Sequence, residues 1–365
     1  MQQQRALPFK ILSMDSLGQG VSKETDKITF IAKTLPGDAG VASILSERKG
    51  VCFAKLQKLE QPSPLRIEPI CPHFSSCPSC HYLHTSYEQE LEFKKQNLTK
   101  LFFKIPHPEI QLTPAVRRTH YRNRIQLHYN QNKKQIGMMD TKDHSIAPIP
   151  NCLIGREAIS EILNKMYQDN SWLNLAKHEP IQGHVEIYEL NGEIGVSWNK
   201  PYAQGGFTQV FDEMNQLLRK KLTLWSEKIP AFELLDIFAG NGNLSEKINY
   251  SSRLCVDIYD RLPEGSFLSQ DLYADQALKN VKKKLHGQGL KPSVIVLDPP
   301  RSGLKNLEEW LEEFKPKYVA YVSCDPHTMV RDIMPLKNYD VAELHLIDFF
   351  PSTFHFETVA FLERK

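Results

Sequence analysis

Phe232-Glu-Leu-Leu-Asp236-Ile-Phe238-Ala-Gly240-Asn-Gly242-Asn243 is an apolar strand that runs straight into a glycine-rich loop. Open α/β sheets bind nucleotides at the carboxyl ends of their strands, where glycines let backbone approach a ligand. The spacing is not the nicotinamide fingerprint, and no Walker lysine follows. Asp257 lies 21 residues after Asp236, at the end of the next apolar run. A carboxylate there suits the hydroxyls of a ribose, so the loop around Gly240 reads as a nucleoside site. Working outward, strands are expected at 232–237, 253–258, 293–297 and 318–323, with helical sequence between them and a helix at 209–223 ahead of them. A last strand pair is expected at 341–349 and 353–362. Strands alternating with helices mean a doubly wound, mostly parallel sheet.

Three more motifs fall at the ends of these strands. Asp298-Pro-Pro-Arg301-Ser-Gly303 follows 293–297 and places a carboxylate in the same crevice. Cys324 stands where 318–323 ends, with Asp325-Pro326 and helical sequence after it. A helix amino end stabilises a thiolate, so the thiol pKa is expected to fall. Asp325 opposes that, and Arg301 or Arg331 is the candidate compensating cation. Near the end, His355 and Glu357 are two apart and share a face if 353–362 is one strand. A carboxylate desolvated there serves as a general base.

The front of the chain differs. Short runs at 9–14, 27–32, 41–46 and 51–59, separated by turns at 17–20 and 35–38, suggest a small all-β barrel. A Pro/Ser linker at 61–66 leads to Cys71, Cys77 and Cys80, three thiols within ten residues. Such a group suits zinc or an iron–sulfur cluster, and on spacing alone structural zinc. A helix at 86–103, a strand at 124–129, Cys152, a helix at 156–168 and a hairpin at 184–198 complete the middle.

Of the 365 residues, 41% are hydrophobic and 24% charged, which excludes collagen-like, disordered and coiled-coil chains. The net charge of +2 conceals an asymmetry: residues 1–134 carry 20 Lys+Arg against 11 Asp+Glu, and the remainder is acidic by seven. A basic front half fits phosphate contacts. Arg117, Arg118, Arg122 and Arg124, with Tyr121 and Tyr129 among them, are candidate RNA contacts. No run approaches the ~20 apolar residues of a membrane span, and the start MQQQR leads into no signal core, so a cytoplasmic protein is expected. Seven cysteines, an odd number, argue against a disulfide framework.

Together these motifs, in this order, resemble the RNA 5-methyluridine (uracil-5) methyltransferases, in the branch with a TRAM domain and a [4Fe-4S] cluster. The resemblance covers nearly the whole chain. It implies an S-adenosylmethionine-dependent enzyme with a class I, Rossmann-like methyltransferase domain at 206–365. An OB-like TRAM barrel for RNA binding is implied at 1–62, carried by the stretch from Ile11 to Pro36. A small α+β domain at 63–205 would hold the cluster, with the helix at 86–103 packing on the catalytic domain. Cys71, Cys77, Cys80 and Cys152 match the cluster ligands, which moves the metal expectation from zinc to iron–sulfur. Phe207-Thr-Gln209-Val resembles the motif whose glutamine contacts the cofactor, with Phe211 standing where the family has asparagine. Phe238, Gly240, Asn243, Asp257 and Asp298 would line the cofactor site, and Asp271 would face the adenine. After Asp257 the chain reads Ile-Tyr-Asp-Arg-Leu-Pro, unlike the family's helix at that point. Cys324 matches the nucleophile and Glu357 the general base. The substrate implied is RNA, most like 23S ribosomal RNA, with the transfer-RNA T-loop as the alternative and the protein acting as a monomer. An amino-group methyltransferase is disfavoured by Arg301, Cys324 and Glu357, and a cytosine-5 enzyme by the cysteine triplet and terminal glutamate. A catalytically inactive RNA-binding relative is the reading from another class.

Overall fold

The computed structural model describes residues 5–140, 144–168, 170–205, 208–258 and 266–365. Two compact units divide the chain. The first holds the residues up to Asn97, then Arg117–Pro201 and Phe350–Phe354. Its strands β1 (Ala6–Met14), β2 (Gln19–Ser22), β3 (Ile28–Ala32), β4 (Ala39–Arg48) and β5 (Val51–Gln61) close into a barrel in the order β1-β2-β3-β5-β4. Every second side chain of β1 turns inward, so Leu7, Phe9 and Ile11 meet Ile31, Ala42 and Ala54 in the barrel core. The expected turn at 17–20 is shorter than its sequence suggested, because Gln19–Ser22 pairs with both β1 and β3.

Helix α1 (Tyr87–Phe102) begins in this unit and ends in the other, with the division at Asn97. Strand β6 (Gln111–Thr113) belongs to the second unit. The first unit resumes with β7 (Arg124–Asn130), β8 (Gln135–Met139), β9 (Ile146–Ala147), α2 (Glu157–Gln168), α3 (Trp172–Leu175), β10 (Gln182–Leu190) and β11 (Glu193–Trp198). Its five strands run β11-β10-β7-β8-β9. Ile125, Leu127, Val185 and Ile187 on the sheet pack against Ile159, Leu163, Met166 and Trp172.

The second unit comprises Leu98–Val116, Tyr202–Phe349 and His355–Lys365. Its elements are α4 (Asp212–Ser226), β12 (Glu233–Ile237), β13 (Ser252–Asp257), β14 (Phe267–Ser269), α5 (Ala277–Gly287), β15 (Val294–Leu297), α6 (Leu307–Phe314), β16 (Tyr318–Ser323), α7 (Pro326–Ile333), β17 (Tyr339–Ile347) and β18 (Glu357–Arg364). The sheet order is β14-β13-β12-β15-β16-β18-β17-β6. The first five of these are mutually parallel, and β18 lies antiparallel between β16 and β17. This is the doubly wound sheet expected from the sequence. The helix expected at 209–223 starts later, at Asp212, because Phe211 is fully buried in the core with its backbone extended. Leu98 and Phe102, from the last turns of α1, lie in the core cluster of this unit with Leu235 and Ile295. The domain boundary expected at 205–206 falls against residues outside those described, as does Phe207. Residues 259–265, which include most of the stretch after Asp257, also lie outside them.

Candidate active site

Parallel strands in register deliver their loops to one edge. Ile237 pairs with both Val256 and Leu297, and Leu297 with Tyr321, so Phe238, Asp257, Asp298 and Cys324 emerge side by side. The antiparallel β18 enters the same edge from the other direction. Ser323 pairs with Thr358, which places Cys324, the next residue of one strand, beside Glu357, the preceding residue of the other. Sheet register alone therefore joins two residues that are 33 apart in sequence.

The glycine loop is shaped for close approach. Gly240 has φ +56°, and a Cβ built on it meets nothing within 4 Å. Its amide donates to Asp257 Oδ2 at 2.9 Å, which fixes the loop to the end of β13. Asn243 exchanges two amide hydrogen bonds with Asn215 of α4, at 2.9 and 3.0 Å. Gln209 is buried just ahead of α4. Phe238 has φ +60° and its ring centroid lies 5.5 Å from that of Tyr273. Asp271 is exposed and accepts the Tyr273 amide at 2.9 Å. The open backbone at Gly240, flanked by an aromatic ring and a carboxylate, fits a nucleoside-bearing cofactor.

Beneath the thiol lies a row of buried acids. Asp236 is pushed up to about 7 by burial, although Ser245 donates to its Oδ2 and Arg253 donates to Ser245. Asp298 is likewise pushed up to about 7, by burial and then by Asp236. Glu357, 3% exposed, is held well above the usual carboxylate range by burial and by Asp298, against the pull of Arg301. Its Oε2 is buried without a hydrogen-bond partner. A carboxyl raised in this way binds a proton tightly, and in its ionised form it is a strong proton acceptor.

The thiol runs against the sequence expectation. The Cys324 pKa is not lowered; burial pushes it up to about 12, helped by Glu357 and Asp298. Asp325 does not act as a repelling charge. It is the N-cap of α7, accepting the His327 amide at 3.0 Å, with Pro326 in the first turn. The compensating cation is Arg301, whose charge pulls the thiol pKa back down against that rise. Arg331 is committed elsewhere, to Asp332 at 2.6 Å and to Ser302 O at 2.7 Å. His355 does not share a strand with Glu357, since β18 begins at Glu357.

Most of the basic and aromatic residues expected to touch RNA are internal. Arg118 donates to Glu90 at 2.9 Å and to the carbonyls of Tyr82 and Thr85. Arg124 is buried against Glu186 at 2.9 Å. Tyr121 and Tyr129 are buried too, the former donating to Pro351 O at 3.0 Å. Arg117 alone of the four arginines is exposed. Sequence reasoning missed Asn215, Ser245, Arg253 and Tyr273. Asn215 follows Phe211 by one helical turn, and that spacing was the signal available for it.

In the first unit, Cys71, Cys77, Cys80 and Cys152 line one pocket with Met138, Ile149 and Ile154. Burial raises the thiol pKa of Cys71, Cys80 and Cys152, and neighbouring thiols raise each further. Lys33, just past β3, secures the loop that carries three of them, donating to Phe74 O and, at 2.8 Å, to Cys77 O. Among the described residues, no group of three or more His, Cys, Asp or Glu is arranged to hold a metal ion. This geometry therefore supports neither the zinc expected from spacing nor the iron–sulfur cluster that the resemblance implies. Among the described residues no helix is long and apolar enough to cross a membrane.

Residues 268–365 match the family model described as tRNA (Uracil-5-)-methyltransferase. The chain is 28% identical to the 23S rRNA (uracil(1939)-C(5))-methyltransferase RlmD of Shewanella sediminis (strain HAW-EB3), over 97% of this chain and 95% of that one. It is 26% identical, at the same coverage, to the protein of the same description from Shewanella woodyi. Among solved structures it is similar to the Pyrococcus abyssi tRNA (uracil-54, C5)-methyltransferase in complex with S-adenosyl-L-homocysteine. There the identity is 20%, the coverage 97% of this chain and 99% of that one, and the TM-score 0.70. That likeness shows the fold, a Rossmann-like sheet with an N-terminal barrel.

Proposed function

We propose that this chain, similar over 97% of its length to RNA uracil-5 methyltransferases, methylates C5 of a uridine in RNA, with 23S ribosomal RNA the favoured substrate. The observation that carries this is the register-built pair of Cys324 and Glu357, with Arg301 acting on both as the cation, beside an open glycine loop. When bound, S-adenosylmethionine supplies a methyl group on a sulfonium. Gly240, Asp257 and Phe238 would hold it, with Gln209, Asn243, Asp271 and Asp298 around them.

Uracil C5 is a poor nucleophile, and covalent addition divides one hard step into easier ones. Cys324 gives its thiol proton up to solvent as the base enters, Sγ adds to C6, and the C5–C6 π electrons move through the ring onto O4 as an enolate. The enolate returns them through C5 to the methyl carbon, and as the new C–CH3 bond forms the sulfonium's S–CH3 bond would break, its electron pair staying on sulfur and S-adenosylhomocysteine leaving. Glu357 then takes the C5 proton, and the C6–S bond breaks to restore the ring and the thiolate. Arg301 stabilises the thiolate in both directions. A thiol at about 12 is almost wholly protonated at neutral pH, so addition needs both that guanidinium and the loss of a proton as substrate enters. The target base must be unpaired or flipped to bring its C6 onto a half-buried thiol.

The cysteine pocket is read as an iron–sulfur site, with Cys71, Cys77, Cys80 and Cys152 as ligands. Their convergence on one apolar pocket supports this; when bound the cluster would take the protons' place on four thiols and tie their loops together. The barrel is read as the TRAM module that helps hold RNA, and the protein as a cytoplasmic monomer. Purified enzyme with S-adenosylmethionine tests the substrate. A 23S ribosomal transcript should gain 5-methyluridine at one mapped position, and a transfer-RNA transcript should not. Methylation of the T-loop alone would move the assignment to transfer RNA, and methylation of neither would refute the activity.

A further inference from the structure

Tyr273 follows β14, yet its hydroxyl is engaged by the loop after β15. It lies 2.7 Å from Ser302 Oγ and donates to Gly303 O at 2.9 Å. In the sheet, β13 and β12 stand between β14 and β15, a span of about 14 Å at three strand spacings. The loop after β14 and the Tyr273 side chain together cross the edge where the glycine loop opens, and the ring rests on Phe238 on the way, at 5.5 Å and 47°. Half of the residue is exposed, so core packing does not explain it. The opposite side of the 301–304 loop is already pinned. Arg331 donates to Ser302 O, and Asp332 accepts the Leu304 amide at 2.7 Å and the Tyr321 hydroxyl at 2.7 Å. Gly303, at φ +67°, leaves no room there, since a Cβ would strike the Asp332 carboxylate. Tyr273 supplies the anchor on the cofactor side. The residue next to Ser302 is Arg301, the cation on the thiol.

We propose that Tyr273 is a positioning residue whose ring walls the S-adenosylmethionine crevice while its hydroxyl holds the 301–303 loop so that Arg301 stays on Cys324. This rests on the reading of Cys324 as nucleophile. The two parts separate by substitution. Tyr273→Phe keeps the ring and loses both hydrogen bonds; Tyr273→Ala loses both parts. Alkylation of Cys324 by iodoacetamide, followed by mass spectrometry of its peptide, should slow about fivefold at pH 8 in Tyr273→Phe. Its pH profile should move upward, and the KM for S-adenosylmethionine should stay within about twofold. Tyr273→Ala should slow alkylation equally and raise that KM about tenfold. Arg301→Gln should displace the profile the same way, and adding Tyr273→Phe to it should change nothing more. Wild-type alkylation in Tyr273→Phe, or additive effects in the double variant, would overturn the proposal. Alkylation needs neither RNA nor methyl transfer. If the wild type failed to trap 5-fluorouridine RNA while Tyr273→Phe still slowed alkylation, the catalytic reading would fall and the link to Arg301 would stand.

Discussion

Cys324 and Cys80 are both thiols that burial pushes away from ionisation, but their neighbours differ in kind. Around Cys324 stand two carboxylates and a guanidinium. Around Cys80 stand mostly other thiols, Cys77 and Cys152 foremost, with Arg122 pulling weakly the other way and no carboxylate among its main neighbours. In the first setting the charges are of both signs, and the balance shifts when a base enters and a proton leaves. In the second, each thiol that ionises makes the next harder, and the cluster proposed above would replace the protons together. The scaffolds match these tasks. Cys324 sits at the end of a central strand and is aligned by ladder hydrogen bonds. The four pocket cysteines sit on loops, held in part by Lys33. A buried cysteine is thus read by its neighbours and not by burial alone: charges of both signs at Cys324, mostly other thiols at Cys80.

The largest test of this contrast lies at Glu357. Glu357→Gln removes the proton acceptor and keeps the shape, so turnover should fall at least about a hundredfold. Methylated RNA should remain bonded to the enzyme on a denaturing gel; ordinary turnover would end the general-base role. A smaller effect should come from the other site. Cys80→Ser should lose iron measured after anaerobic purification, while the alkylation rate of Cys324 changes less than about twofold. Stoichiometric zinc without iron in the wild type would break the cluster half of the comparison. A large change at Cys324 would show that the two thiol environments are not independent.

The sequence showed where the strands end and missed how those ends are charged. Apolar runs of four to six residues mark the parallel strands, because a sheet covered on both faces must be apolar throughout. Asp236, Asp257, Asp298 and Cys324 stood out as polar residues at the close of such runs. The direction of the Cys324 shift was not visible, since it depends first on burial of the thiol and then on Glu357 and Asp298 arriving across the sheet. Arg118, Arg124, Tyr121 and Tyr129 looked like a basic surface because Glu90 and Glu186, which pair with the two arginines, are 28 and 62 residues away. Strand β6, only three residues long, has no alternation to read, and its pairing with β17 is set by the sheet edge. The strand expected from 353 begins at 357, because Phe350–Phe354 is drawn into the first unit, where the Ser352 amide donates to Glu90 at 2.7 Å.

The most direct measurement is trapping with RNA that carries 5-fluorouridine, in the presence of S-adenosylmethionine. Fluorine at C5 blocks the final proton removal, so a thiol that has added to C6 stays attached. The peptide containing Cys324 should carry the methylated fluoropyrimidine nucleotide, formed faster at pH 8.5 than at pH 6.5 because the thiol starts near 12, and Cys324→Ala should form none. An adduct on another residue, or trapping that survives Cys324→Ala, would contradict the account.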